Sequence, residues 1–257
     1  MPNNRRLRDG QAGPVGEAIV WRSAAASHTG YVRKVNEDRF LNVPEHGLWA
    51  VADGMGGHSA GDFAAENIVA KLAEVTSPTD LSAHGDWVRA RLDEVNRHLR
   101  DEASRRGQII GSTVVVLQAV GASCRYAWVG DSRIYRLRGA ELRQLTTDHT
   151  LVENLVQQGV ITRDEAVVHP AANVITRAVG AEDSLDLAAG AEAAEQGDTF
   201  LLCSDGLCKE LTDGEIAELL RAHIEPQEAV RRLVERALEN GGSDNVTVCV
   251  VRAVAAK

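Results

Sequence analysis

The sequence predicts an α+β fold of stacked antiparallel β-layers and paired helices, and three observations predict it. Between residues 112 and 142, β-branched and aromatic runs succeed one another across Gly-containing links too short for a crossover helix, which forces antiparallel pairing. Amphipathic helical patterns arrive in pairs, once after residue 58 and again after residue 212, so helices pack onto sheets as added layers. The 257 residues, 44% of them hydrophobic, are enough to bury the core of one large domain.

Residues 1–17 are rich in Gly, Asn, Arg and Pro without periodicity and read as a flexible tail ahead of a domain over 18–257. AIVWRSAAAS (18–27) and HGLWAVAD (46–53) read as strands, the second ending at the turn DGMGGH (53–58). In 59–76 the residues Ala64, Ile68, Leu72 and Val75 share one helical stripe. Val88, Leu92, Val95 and Leu99 do the same in 86–105. STVVVLQAV (112–120), SCRYAWVGD (123–131) and SRIYRLRGAEL (132–142) follow as strands. The last third supplies TFLLCSDG (199–206), helices near 213–222 and 226–240, and the strand NVTVCVVRAV (245–254).

A formal charge of -9 and a pI near 5.4 exclude a nucleic-acid duplex or a membrane surface as main partner, because binding a polyanion requires clustered Lys and Arg. The N-terminus has basic residues but no signal-length apolar stretch, and no run is long enough to span a bilayer. The expectation is a cytoplasmic, monomeric protein. Cys124, Cys203, Cys208 and Cys249 lack CxxC spacing and lie mostly in apolar runs, as buried reduced thiols do.

Four aspartates stand at strand ends: Asp53, Asp131, Asp205 and Asp244. Carboxylates crowded at one edge of a sheet repel unless cations lie between them, and oxygen ligands suit Mg²⁺ or Mn²⁺ rather than zinc. Taken singly, each is equally an aspartate capping a turn.

Their surroundings carry more. TGYVRKVNED (29–38), VADGMGGH (51–58), GSTVVV (111–116), VGDSRIYRL (129–137), LTTDHTLV (145–152), ITRAVG (175–180), LLCSDGL (201–207) and SDNVTV (243–248) form an ordered series. The series resembles the bacterial type 2C, metal-dependent Ser/Thr protein phosphatases (PPM family) over residues 20 to 254. The resemblance implies two central antiparallel sheets sandwiched between pairs of helices, a four-layer αββα arrangement. It also implies a binuclear Mn²⁺ or Mg²⁺ centre, two ions per site, at one end of the sandwich.

By the same resemblance Asp53 bridges the two ions, the Gly54 carbonyl binds one, and Asp205 and Asp244 complete the direct ligands. Glu37 and Asp38 act through or near ion-bound water, and Asp131 matches a weaker third metal position. Arg33 matches the phosphate-binding arginine, whose guanidinium can hold two phosphoryl oxygens. The implied reaction is hydrolysis of phosphoserine or phosphothreonine by a hydroxide held between two cations about 3.5 to 4 Å apart. The implied partners are phosphoproteins and a cognate bacterial Ser/Thr kinase. Met55 stands where many eukaryotic relatives have a proton-donating histidine, so the proton donor is open between water and His58. Residues 146–174 correspond to the flap beside the family's active site. A catalytically silent phosphoprotein-binding module and a hydrolase of small phosphate esters are the competing readings. The presence of Asp53, Asp205 and Asp244 speaks against the first.

Overall fold

A computed structural model describes residues 19–56 and 60–256, so the tail over 1–17 and His58 lie outside the described residues. The chain begins with strands β1 (Ile19–His28), β2 (Asp38–Val43) and β3 (Leu48–Met55), followed by helices α1 (Ala60–Leu72) and α2 (Leu81–Arg106). Five strands come next: β4 (Gly111–Ser112), β5 (Val114–Val120), β6 (Ser123–Val129), β7 (Arg133–Arg138) and β8 (Glu141–Gln144). Short helices α3 (Leu151–Gln157) and α4 (Arg163–Val167) lead to β9 (Ala188–Ala193) and β10 (Thr199–Cys203). Helices α5 (Asp205–Glu210), α6 (Asp213–Ala222) and α7 (Pro226–Asn240) precede the final strand β11 (Val246–Ala255).

The strands form two antiparallel sheets. One has the order β1-β11-β10-β7-β8; the other has the order β2-β3-β5-β6-β9, with β4 added beside β3. Period-two alternation sorts the side chains into layers. Trp49 and Val51 of β3, Val115 and Leu117 of β5, Phe200 and Leu202 of β10, and Cys249 and Val251 of β11 fill the space between the sheets. Their neighbours point the other way. Leu48, Ala50, Val114 and Val116 pack under the α1 and α2 stripes, while Leu201, Val248 and Val250 pack under α5, α6 and α7. Val88, Leu92, Val95 and Leu99 are all buried, as the 3.6-residue spacing predicts. Leu92 is fully buried, and its removal from water contributes about 1.5 to 3 kcal/mol. Helix α2 starts five residues before the predicted stripe because Asp80 caps it, accepting from the Ala83 N–H at 2.8 Å.

The predicted pairing of the runs 123–131 and 132–142 does not occur. Strand β6 pairs with β5 and β9 in one sheet, whereas β7 pairs with β10 and β8 in the other. Residues 130–132 carry the chain from sheet to sheet. A link that short serves a hairpin or a sheet-to-sheet step equally, and burial chooses: Ile134 faces between the sheets and Tyr135 and Leu137 face the helices. The run 132–142 is itself two strands, folded at Gly139. Several elements were not predicted, β2, β9 and α5 among them. Strand β2 is a partly exposed edge strand, β9 reads AAGAEA with little β-propensity, and α5 is too short to show a period.

Candidate active site

Antiparallel order brings the aspartates to one end. The start of β2 faces the end of β3, so Asp38 and Asp53 are register partners. The end of β10 lies beside the start of β11, which brings Asp205, the first residue of α5, near Asp244. Asp131 sits in the link entering β7, the strand next to β10.

Backbone contacts between the sequence motifs hold this edge together. The Asp53 carbonyl accepts from the Thr113 N–H and the Ser112 hydroxyl, both at 2.9 Å, and the Thr113 hydroxyl lies 2.7 Å from that of Ser132. Gly130, at φ +102, presses on Thr113 where a Cβ would collide. Gly54 meets the Gly61 backbone at the start of α1, and a Cβ on either residue would overlap the other. Asn245 fastens residues 29–37: its amide donates to the Thr29 and Val35 carbonyls at 2.8 and 3.0 Å, and its oxygen accepts from the Glu37 N–H at 2.9 Å. Glu37 in turn accepts at its carbonyl from the Gly54 N–H at 3.2 Å.

Charge is crowded here. Burial, with Asp205 and Asp244 adding repulsion, pushes Asp38 up to about 6. Burial and then the charges of Asp205 and Asp148 push Asp131 up to about 7. Asp53 is driven well above the ordinary carboxylate range by burial and then by Asp38, Asp205, Asp131 and Asp244. The Ser204 hydroxyl donates to Asp38 Oδ2 at 2.7 Å, but Asp38 Oδ1 and Asp131 Oδ1 are buried without a hydrogen-bond donor. A buried acceptor in that state costs about 1 to 3 kcal/mol, and a cation would relieve it. The donor set, all oxygen, suits Mg²⁺ or Mn²⁺. Among the described residues no three acidic, His or Cys side chains are drawn tightly enough to grip an ion by themselves.

Two cationic side chains reach the outer carboxylates. Arg33 grips Asp244 with both arms, Nε to Oδ1 at 2.7 Å and Nη2 to Oδ2 at 2.8 Å, and that bond raises the Arg33 pKa. Burial acts to raise the Asp244 pKa, but Arg33 and Lys209 outweigh it and hold it below the ordinary range. Lys209, which the sequence reading did not single out, lies 2.6 Å from Asp205 and 2.8 Å from Asp244. Its only sequence signal is the i, i+4 spacing from Asp205 on a helix too short to be predicted. Ser204 and Asn245 lie inside the quoted motifs but had been given no role. Met55 packs against Gly111. Helices α3 and α4 lie within the segment 146–174, whose ends are tied where Leu151 N–H donates to the Val174 carbonyl at 2.9 Å. The four cysteines are free thiols, three of them buried and Cys208 partly exposed on α5.

Two antiparallel sheets with flanking helices and a carboxylate edge define a phosphatase class, and the chain belongs to it: the family model described as protein phosphatase 2C matches residues 27–244. The chain is a serine/threonine protein phosphatase. It is 35% identical to the serine/threonine phosphatase stp of Listeria monocytogenes over 231 residues, 86% of this chain and 92% of that protein. It is 39% identical to the phosphatase PstP of Mycobacterium tuberculosis over 240 residues, 92% of this chain but 46% of the longer relative. The fold is similar to that of PppA, described as a key regulatory component of T6SS in Pseudomonas aeruginosa. That match has a TM-score of 0.85 and 46% identity, covering 92% of this chain and 99% of that one. The PstP catalytic domain, solved in complex with two manganese ions, matches at a TM-score of 0.81 and 37% identity, covering 92% and 99% of the two chains.

Proposed function

We propose that this phosphatase works with two Mn²⁺ or Mg²⁺ ions held by Asp53, Asp205, Asp244 and the Gly54 carbonyl, and that it opposes a bacterial Ser/Thr kinase in the cytoplasm as a monomer. One observation carries the reading: Asp38, Asp53 and Asp131 crowd one edge and, among the described residues, no Arg or Lys forms a salt bridge with their carboxylates, so their charge calls for cations from outside the chain. That a solved relative carries two manganese ions supports it. No helix of the described residues is long and apolar enough to cross a membrane.

Bound there, two divalent ions supply Lewis acidity and acidify a water enough to attack phosphorus at neutral pH. The chain's own residues position and neutralise. Asp38, held by Ser204, and Glu37, fixed by Asn245, orient water beside the ions. Arg33, with over half of its side chain exposed, turns its guanidinium from Asp244 onto two phosphoryl oxygens. Asp131 supplies a third, weaker ion position. Met55 has no proton to give, and of the two remaining candidates, water and His58, water is the proposed donor to the leaving Ser or Thr oxygen. Residues 146–174 form a flap that contacts the protein substrate. The test is metal removal: after exhaustive chelation, hydrolysis of a phosphoserine peptide should vanish and return on adding Mn²⁺ or Mg²⁺. Full activity after chelation would refute the metal centre.

A further inference from the structure

We infer that Lys209 is a resident cation of this site, competing with a divalent ion for Asp205 and Asp244 and so setting how tightly that ion is held; this rests on the metal-centre reading proposed above. The ammonium lies 2.6 Å from Asp205 Oδ2 and 2.8 Å from Asp244 Oδ2, two carboxylates that arrive from different elements. Asp244 is also gripped by Arg33 at both oxygens, so each of its carboxylate oxygens already accepts from a cation.

A divalent ion binds carboxylate oxygen at about 2.0 to 2.2 Å and needs the same lone pairs. Two cations on one carboxylate oxygen repel each other strongly at that separation. One of them has to move, and Lys209 is built to do so. It is carried on a flexible four-carbon stem and 29% of its side chain is exposed, so it can swing to water with its helix intact. An exposed i, i+4 pair would be worth little and would explain only the contact with Asp205. The contact with Asp244, from the start of another strand, is what makes Lys209 a bridge across the candidate ligands. Among the described residues no Lys or Arg pairs with the carboxylate of Asp38 or Asp53, so where Asp205 and Asp244 hold the same ion the cost of displacing a lysine falls on that ion and not on both. The two ions should therefore differ in affinity, and the difference should shrink when the ammonium is removed.

The experiment is Mn²⁺ binding to the chelator-treated full chain, followed by the electron-spin signal of free Mn²⁺ at fixed pH and ionic strength. Lys209→Met keeps the stem and removes the charge, and should tighten the weaker Mn²⁺ by about tenfold or more while leaving the tighter one unchanged. Lys209→Arg keeps the charge and should stay within about threefold of wild type. In chelator Lys209→Met should melt below wild type, and saturating Mn²⁺ should remove that gap. If Lys209→Met proves too unstable in chelator, it is purified with Mn²⁺ bound and the ion's release to a competing chelator is timed. Release slower than from wild type supports the inference; equal or faster release overturns it. Equal or weaker Mn²⁺ binding by Lys209→Met overturns the competition and leaves the metal centre standing. No Mn²⁺ binding by either protein overturns both.

Discussion

Strand β10 starts beside a buried carboxylate, Asp198, and runs into a half-buried one, Asp205, and the two ends of the sandwich treat charge differently. At the Asp198 end the acids Asp198, Glu192 and Glu195 each have a base. Arg138 grips Asp198 at 2.8 and 2.6 Å, the Glu195 N–H adds a bond at 2.9 Å, and Glu192 receives Arg136 at 2.5 Å and Arg143. At the Asp205 end Asp38 is as buried as Asp198, both at 1% exposure, yet one of its oxygens has no donor and its neighbours are acids. Charge balanced inside the chain locks the fold, whereas charge left unbalanced is a site waiting for ligands.

Substitutions should therefore give opposite signatures at the two ends. The largest effect is expected at Asp53: Asp53→Asn should lower kcat by about a thousandfold or more, the upper scale of losing one preorganised electrostatic group. A variant with wild-type kcat and only a raised KM would contradict the bridging role. Next comes Arg33→Ala, which should cost about 2 to 3 kcal/mol in kcat/KM for phosphopeptides while the Mn²⁺ bound per chain stays the same. Loss of metal in this variant would make Arg33 a structural residue.

The far end should respond in stability alone. Asp198→Asn leaves Arg138 without its buried partner. Because Arg138 is about a third exposed, the loss should be about 2 kcal/mol in urea unfolding rather than the full cost of breaking a buried pair. The kcat should not change; a fall in kcat at unchanged stability would show that the two ends communicate.

The smallest effect concerns pH. Asp131 is pushed up to about 7 and Asp38 to about 6, above the ordinary carboxylate value near 4. Between those limits the folded chain holds protons that the unfolded chain releases. Their contribution to stability is full below pH 4 and is lost as pH rises through 6 to 7. Chelated protein should thus unfold at lower urea at pH 8 than at pH 5, and Asp131→Asn should recover on the order of 1 to 2 kcal/mol at pH 8 only. An unchanged pH slope in Asp131→Asn would show that Asp131 is not strained.

Legibility in the sequence followed how local each signal is. The stripes of α1 and α2 were readable because burial on one face imposes a period, and β3, β5, β10 and β11 were readable because burial on both faces leaves near-continuous apolar runs. Strand β9 was not, since its pairing with β6 supplies what AAGAEA lacks. The carboxylates at strand ends were readable, and so was Arg33, through the motif that surrounds it. Lys209 was not, because nothing near residue 209 announces that Asp244, from another strand, lies within reach.

By itself, then, the sequence determined the layer composition, the family and the set of acids, because these rest on short-range patterns and on residue types in a fixed order. Tertiary structure decided the rest. It placed β6 and β7 in different sheets, because Ile134 had an inter-sheet core to join while Tyr135 and Leu137 faced the helices. It also decided which acids meet a base and which do not, since a carboxylate's partner is whatever the packed layers bring within about 4 Å of it, however far away in the chain.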